Sequence, residues 1–101
     1  MTQDHIKHIT RQLKLAIGRK YPLLEMKLFG SSARGDRSPE SDIDLMVRLA
    51  TVTREIEQDV FNMAYDLELE HDCLIDVFVL SKDMGSNIPL VQKIEQEGIS
   101  V

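Results

Sequence analysis

The sequence predicts a two-layer α/β fold of the α+β kind, with helices laid on one face of a small mixed sheet. Three observations carry that expectation: a helical apolar period near the amino end, a stretch at residues 43–49 that alternates with period two, and a nearly continuous apolar run at residues 74–80. At 101 residues there is room for one modest core, so residues 1–101 are expected to form a single domain.

Between His5 and Arg19, the apolar residues Ile6, Ile9, Leu13, Ala16 and Ile17 recur at helical spacing, with basic residues between them. Gly18 and the Tyr21–Pro22 step are expected to end that helix, because the residue before proline is pushed out of the helical region. A short strand is expected from Leu24 to Phe29, closing on Gly30-Ser31-Ser32. Residues 31–36 can open a helical turn, and residues 36–41, with Pro39, read as a loop. In the next strand Ile43, Leu45, Val47 and Leu49 share one face, while Asp42, Asp44, Met46 and Arg48 share the other. Thr53 is placed to cap a helix with Ile56, Val60, Met63, Ala64 and Leu67 on one stripe, and His71-Asp72 breaks it. Leu74 to Leu80 follows as a strand interrupted only by Asp76. A last helix runs from Pro89 to Glu97, stopped by Gly98, and Ile99 to Val101 can add a little edge strand. Helices on one face leave the other free to carry chemistry.

A hydrophobic content of 43% beside 29% charged residues places the chain among globular proteins rather than disordered ones. No apolar run approaches the ~20 residues of a membrane-spanning helix. The polar start, Met1-Thr2-Gln3-Asp4-His5, lacks the layout of a secretory signal, so no membrane association is expected. The lone cysteine, Cys73, cannot pair within the chain, which suits a reducing cytoplasm. A net charge of −5 argues against nonspecific nucleic-acid binding. That charge is uneven: Lys7, Arg11, Lys14, Arg19 and Lys20 crowd residues 7–20, and residues 55–76 are rich in acid. Two solvated helix faces produce the same pattern.

Carboxylates in strands are disfavoured, and a buried one is costly unless it is paired or binds a metal. Asp42 and Asp44 are two apart and project from one face of their strand, and Asp76 interrupts an otherwise apolar strand. If the strands pair side by side, three carboxylates converge, and like charges so close call for a cation between them. Hard oxygen ligands on rigid strands suit Mg²⁺. The carboxylates alone are equally compatible with a strand start and a polar edge. An EF-hand is a poor alternative, since Ile43-Asp44-Leu45-Met46-Val47 lacks the required glycine and later glutamate. The segment Gly30-Ser31-Ser32-Ala33-Arg34-Gly35 adds a backbone that can approach a ligand closely, and hydroxyls that can cradle phosphate. It is not a P-loop, and by itself it is a turn.

Taken together, Gly30-Ser31, ten intervening residues and Asp42-Ile43-Asp44 resemble the signature of the DNA polymerase β-like nucleotidyltransferase superfamily. The fuller string, Leu28-Phe29-Gly30-Ser31-Ser32-Ala33-Arg34-Gly35 with Ser41-Asp42-Ile43-Asp44-Leu45, is similar to its minimal nucleotidyltransferase branch, and Asp76 matches the third carboxylate. The resemblance implies the polymerase β-like fold and in-line attack on the α-phosphate of ATP, with pyrophosphate leaving. It implies that Asp42 and Asp44 hold two Mg²⁺ ions, and that Asp76 completes the second site and helps deprotonate the attacking hydroxyl. It implies too that Gly30 and Ser31, with Ser32 beside them, bind the β/γ-phosphates. Arg34 either meets phosphate charge or anchors the loop.

Larger relatives carry an acceptor-binding domain for which 101 residues leave no room, so the acceptor surface is expected from a partner. The resemblance implies a HEPN-type RNase toxin in a hetero-oligomer, with AMP transferred to its tyrosine and this chain as the antitoxin. The rivals are a nucleotide-binding module that neutralises a toxin sterically, and nucleotidyl transfer to a small molecule or RNA. His5 and His8 read as surface residues, Cys73 as a small buried hydrophobe, Tyr21 and Tyr65 as helix-end packing, and the methionines as core filler.

Overall fold

A computed structural model of the chain describes residues 3–30, 43–84 and 87–101. Its elements are α1 (Gln3–Lys20), β1 (Leu23–Phe29), β2 (Ile43–Leu49), α2 (Arg54–His71), β3 (Ile75–Ser81), α3 (Pro89–Glu97) and β4 (Ile99–Ser100). The sheet order is β3-β2-β1-β4. β1 is antiparallel to both β2 and β4, whereas β2 and β3 are parallel, so the sheet is mixed. A parallel pair needs a crossover, and α2 supplies it. The expected turn over residues 31–36 and the loop at 36–41 lie outside the described residues.

Local chemistry explains the helix ends. α1 continues through Gly18, where a side chain would meet nothing within 4 Å, and stops at the Tyr21–Pro22 step. Thr53 caps α2 by accepting the Ile56 N–H at 3.2 Å. At the other end Asp72 takes a left-handed φ of 51° and returns its N–H to the Glu68 carbonyl. Pro89 opens α3, and Gly98 closes it with its N–H on the Ile94 carbonyl at 2.7 Å. A Cβ at Gly98 would lie 2.5 Å from that same carbonyl oxygen, so the stop needs glycine for space.

α1 and α2 cover one face of the sheet. Ile6, Ile9, Leu13 and Ile17 from α1, with Val60, Ala64 and Leu67 from α2, bury against Met26, Leu28, Ile43, Leu45, Val47, Leu49, Ile75 and Val79. β2, the central strand, is buried along nearly its whole length. The α+β fold class is as expected, with one refinement to the placement of helices on one face. α3 lies on the opposite face, where Val91 and Ile94 close a second, smaller core over Met46 and Leu80, with Phe29 at its margin. Among the described residues, the second face is therefore left uncovered by α3 only towards its Asp44 and Asp76 end.

Polar clusters also join the elements. Under α3, the Arg48 guanidinium donates to the Ser81 and Met84 carbonyls, each at 2.9 Å, and pairs with Glu95 at 3.1 Å and Glu25 at 3.6 Å. Lys27 reaches the same two glutamates and donates to the Glu95 carbonyl at 3.0 Å. Between α1 and α2, Tyr21 Oη (2.6 Å) and Lys20 Nζ (2.8 Å) both donate to Asp59 Oδ2. The Lys20 and Tyr21 hydrogen bonds hold the Asp59 carboxyl below its ordinary range. The bond to Asp59 in turn raises both the Tyr21 phenol and the Lys20 ammonium above theirs. No described helix is long and apolar enough to cross a membrane.

Candidate active site

The parallel register of β2 and β3 sets Asp44 directly beside Asp76. Neighbouring strands lie about 4.8 Å apart, so the two carboxylates rise from adjacent backbone positions. Both sit at positions alternate to the main core residues, and so on the second face. Asp44 is half-buried and Asp76 exposed. On its other side Asp44 pairs in register with Phe29, whose ring lies 6.1 Å, centroid to centroid, from that of Phe78 on β3. An apolar floor thus separates the two acids from the α3 half of the face.

Gly30 follows β1 at once and adopts φ 67°, a region that L side chains rarely enter. A Cβ built there would lie 2.8 Å from Asp44 Oδ2. The bare backbone of Gly30 is what lets the chain pass against the Asp44 carboxylate.

Gly30, Asp44 and Asp76, expected from the sequence to act together, are thus brought into one patch. Ser31, Ser32, Arg34 and Asp42 lie outside the described residues. Among the described residues no group of three His, Cys, Asp or Glu side chains is placed to hold a metal ion. The donor chemistry of the described pair nevertheless suits a hard divalent cation: two carboxylates on adjacent rigid strands, on the part of the face that α3 leaves open. The adjacency itself was not legible in the sequence, because strand register is set by long-range pairing.

Elsewhere the single-residue expectations divide. Met26 and Met46 are core residues, but Met84 is 47% exposed. Cys73 is partly buried against the core, and Tyr21 packs at a helix end as expected. Tyr65 is not helix-end packing: it stands 56% exposed in the middle of α2. His5 and His8 are joined by His71 from α2. His5 Nε2 lies 3.2 Å from His71 Nδ1, the His8 ring is 6.0 Å from that of His71, and His71 Nε2 meets Gln12 Oε1 at 2.8 Å. Gln12 Oε1 can only accept, so the His71 ring donates to it from Nε2. The three imidazoles thus join α1 to the end of α2.

Comparison with known proteins places this geometry. Residues 10–99 match the family described as Nucleotidyltransferase domain. Two relatives from Methanocaldococcus jannaschii, both named provisionally as protein adenylyltransferases, are similar in sequence. One is 48% identical over 46 residues, spanning 46% of this chain and 46% of that protein. The other is 31% identical over 75 residues, spanning 73% of this chain and 74% of that protein. The first match thus covers about half of each partner.

Among solved structures, one described provisionally as a minimal nucleotidyltransferase shares the fold, with a TM-score of 0.76 at 20% identity over 100% of this chain and 97% of its own. A toxin-antitoxin crystal structure with AMP-PNP is 26% identical, with a TM-score of 0.62 over 87% of this chain and 68% of its own. A third structure holds a tri-AMPylated Shewanella oneidensis HEPN toxin in complex with an MNT antitoxin; it has a TM-score of 0.60 at 23% identity, over 98% of this chain and 71% of its own. With the family match running from within α1 to β4, the chain belongs to the nucleotidyltransferase-domain family.

Proposed function

We propose that this chain is a cytoplasmic, Mg²⁺-dependent protein adenylyltransferase that moves AMP from ATP to a tyrosine hydroxyl of a partner HEPN RNase toxin, and so acts as its antitoxin. The observation that carries the reading is the register pairing of Asp44 with Asp76 beside the bare backbone of Gly30. Family membership supports nucleotidyl transfer, and the adenylyltransferase name of the relatives supports a protein acceptor. The toxin-antitoxin complexes among the structural neighbours, one with AMP-PNP and one with an AMPylated toxin, support the donor and the partner.

In this reading Asp42, Asp44 and Asp76 would hold two Mg²⁺ ions, which when bound would neutralise the triphosphate and stabilise charge developing in the transition state. Gly30, with Ser31 and Ser32 after it, brings backbone and hydroxyl donors to the β- and γ-phosphates. Asp76, exposed at the sheet edge, faces the acceptor and takes up the proton of its hydroxyl. The hydroxyl oxygen bonds to the α-phosphorus, the α–β bridging P–O bond breaks, and pyrophosphate leaves with the bonding pair. Catalysis is then mostly positioning and charge neutralisation.

The test is incubation of the chain with Mg²⁺, ATP labelled at the α-phosphate, and a HEPN-type protein from the same genome as the candidate partner. The reading expects label on the partner, retained after denaturation and lost with Asp44→Asn or Asp76→Asn. If these variants neutralise the partner in cells as fully as the unaltered chain does, a steric antitoxin replaces the enzymatic one.

A further inference from the structure

Among the described residues no strand lies on the outer side of β3, which ends the sheet. An open edge presents backbone N–H and C=O groups that a second extended chain can take up. Between this edge and α2 runs a groove of about 420 Å³, lined among others by Phe61, Tyr65, Glu68, Ile75, Asp76 and Val77. Because Asp76 is one wall of it, the groove is continuous with the candidate active site.

Phe61 and Tyr65, one helical turn apart on α2, are 40% and 56% exposed, and Leu69 extends the row by another turn at 66%. An apolar row beside an open strand edge invites a partner. Charge says which kind. α2 carries Glu55, Glu57, Asp59, Asp66, Glu68 and Glu70 against Arg54 alone. Glu68 and Asp76 face the groove, and among the described residues no lysine or arginine lines it. Like charges brought into such a site are repelled, and opposite ones are drawn in.

We propose that this groove is the docking site of the acceptor, which enters as an extended, basic polypeptide segment bearing a hydroxyl residue and adds a strand to β3. Calling the occupant the acceptor rests on the adenylyltransferase reading above. Side chains of an added strand alternate between faces. One set falls on the face of Asp44 and Asp76, one strand spacing (about 4.8 Å) from Asp76, so register selects which hydroxyl reaches the site. The other set falls on the face that α2 covers, against Phe61 and Tyr65. Basic residues in the segment pair with Glu68 and its acidic neighbours.

The probe is a pair of synthetic nine-residue peptides with a central tyrosine and alternating valines, one carrying lysine and the other glutamate at the remaining positions. Each is titrated into the full chain, without nucleotide, while backbone amide resonances are followed by NMR. The lysine peptide is expected to shift the amides of Ile75, Asp76 and Val77 together with those of Phe61 and Tyr65. Its affinity should fall at least about tenfold in Tyr65→Lys and in Phe61→Lys, both at exposed positions, with the spread of the amide spectrum checking that each variant is folded. Equal binding of the glutamate peptide, shifts centred elsewhere, or affinity unchanged in both variants would overturn the proposal. So would shifts of the same amides on raising the protein concentration alone, which would make a second copy the occupant. Since no nucleotide is present, failure here leaves the transfer reaction standing, and failure of transfer leaves a positive binding result standing.

Discussion

A side chain at position 30 would occupy the space of the Asp44 carboxylate: the Cβ would come within 2.8 Å of Oδ2, on a backbone held at φ 67°. Conformation and space thus both demand glycine where β1 hands over to the segment that follows. Gly30→Ala should cost about 1–3 kcal/mol of stability from the backbone alone and displace Asp44. The contrasting variant is Gly18→Ala, where the helix continues into open space and about 0.4–1 kcal/mol of stabilisation is expected. Chemical denaturation of the two variants should move the midpoint in opposite directions.

Asp76 is exposed, with Asp44 as its register neighbour. Asp76→Asn removes one of two adjacent negative charges, so without divalent cation the variant should melt no lower than the unaltered chain. Its transfer rate at saturating ATP and Mg²⁺ should fall on the order of 10²–10³-fold, the usual cost of losing one transition-state charge contact. Chelation by EDTA should abolish transfer in the unaltered chain, and restored Mg²⁺ should return it.

Arg48 joins β2 to β1, to the end of β3 and to α3 through three carbonyls and two glutamates. Arg48→Met keeps the stem but strands those acceptors, and should cost about 1–3 kcal/mol in urea unfolding. The loss should exceed that of Glu95→Gln, which keeps a hydrogen-bonding side chain on a more exposed partner.

The Tyr21–Asp59–Lys20 cluster makes a pH prediction with a definite sign. Asp59 is held low in the fold, so its contribution is present above its unfolded range and is lost as acid protonates it. Tyr21 and Lys20 are held high, so theirs is complete below their unfolded range and is lost as alkali deprotonates them. With Tyr65→Phe as background, Tyr21 is the one remaining phenol. Its absorbance titration should shift to lower pH on adding Asp59→Asn.

β2 and the long helices were legible because each carries one period, and β3 because its apolar run is broken only by Asp76: the β2 alternation marks its core face, and the Ile6–Ile17 stripe marks that of α1. Two features were not. The side taken by α3 is not encoded in its own short pattern. It is set by Met46 and Leu80, apolar residues on the face otherwise left to the acids, and their position was the available signal. The meeting of Asp44 with Asp76, and of His71 with His5, depends on register and on helix packing across distant segments, which local spacing does not determine.

Whether Asp44 and Asp76 hold a divalent cation together can be read from paramagnetic Mn²⁺, which broadens the amide resonances near its site. Substoichiometric Mn²⁺ should broaden Gly30, Asp44 and Asp76 in the unaltered chain and spare them in an Asp44→Asn/Asp76→Asn double variant. Broadening that persists in that variant, or that centres on His5 and His71 instead, would contradict the account.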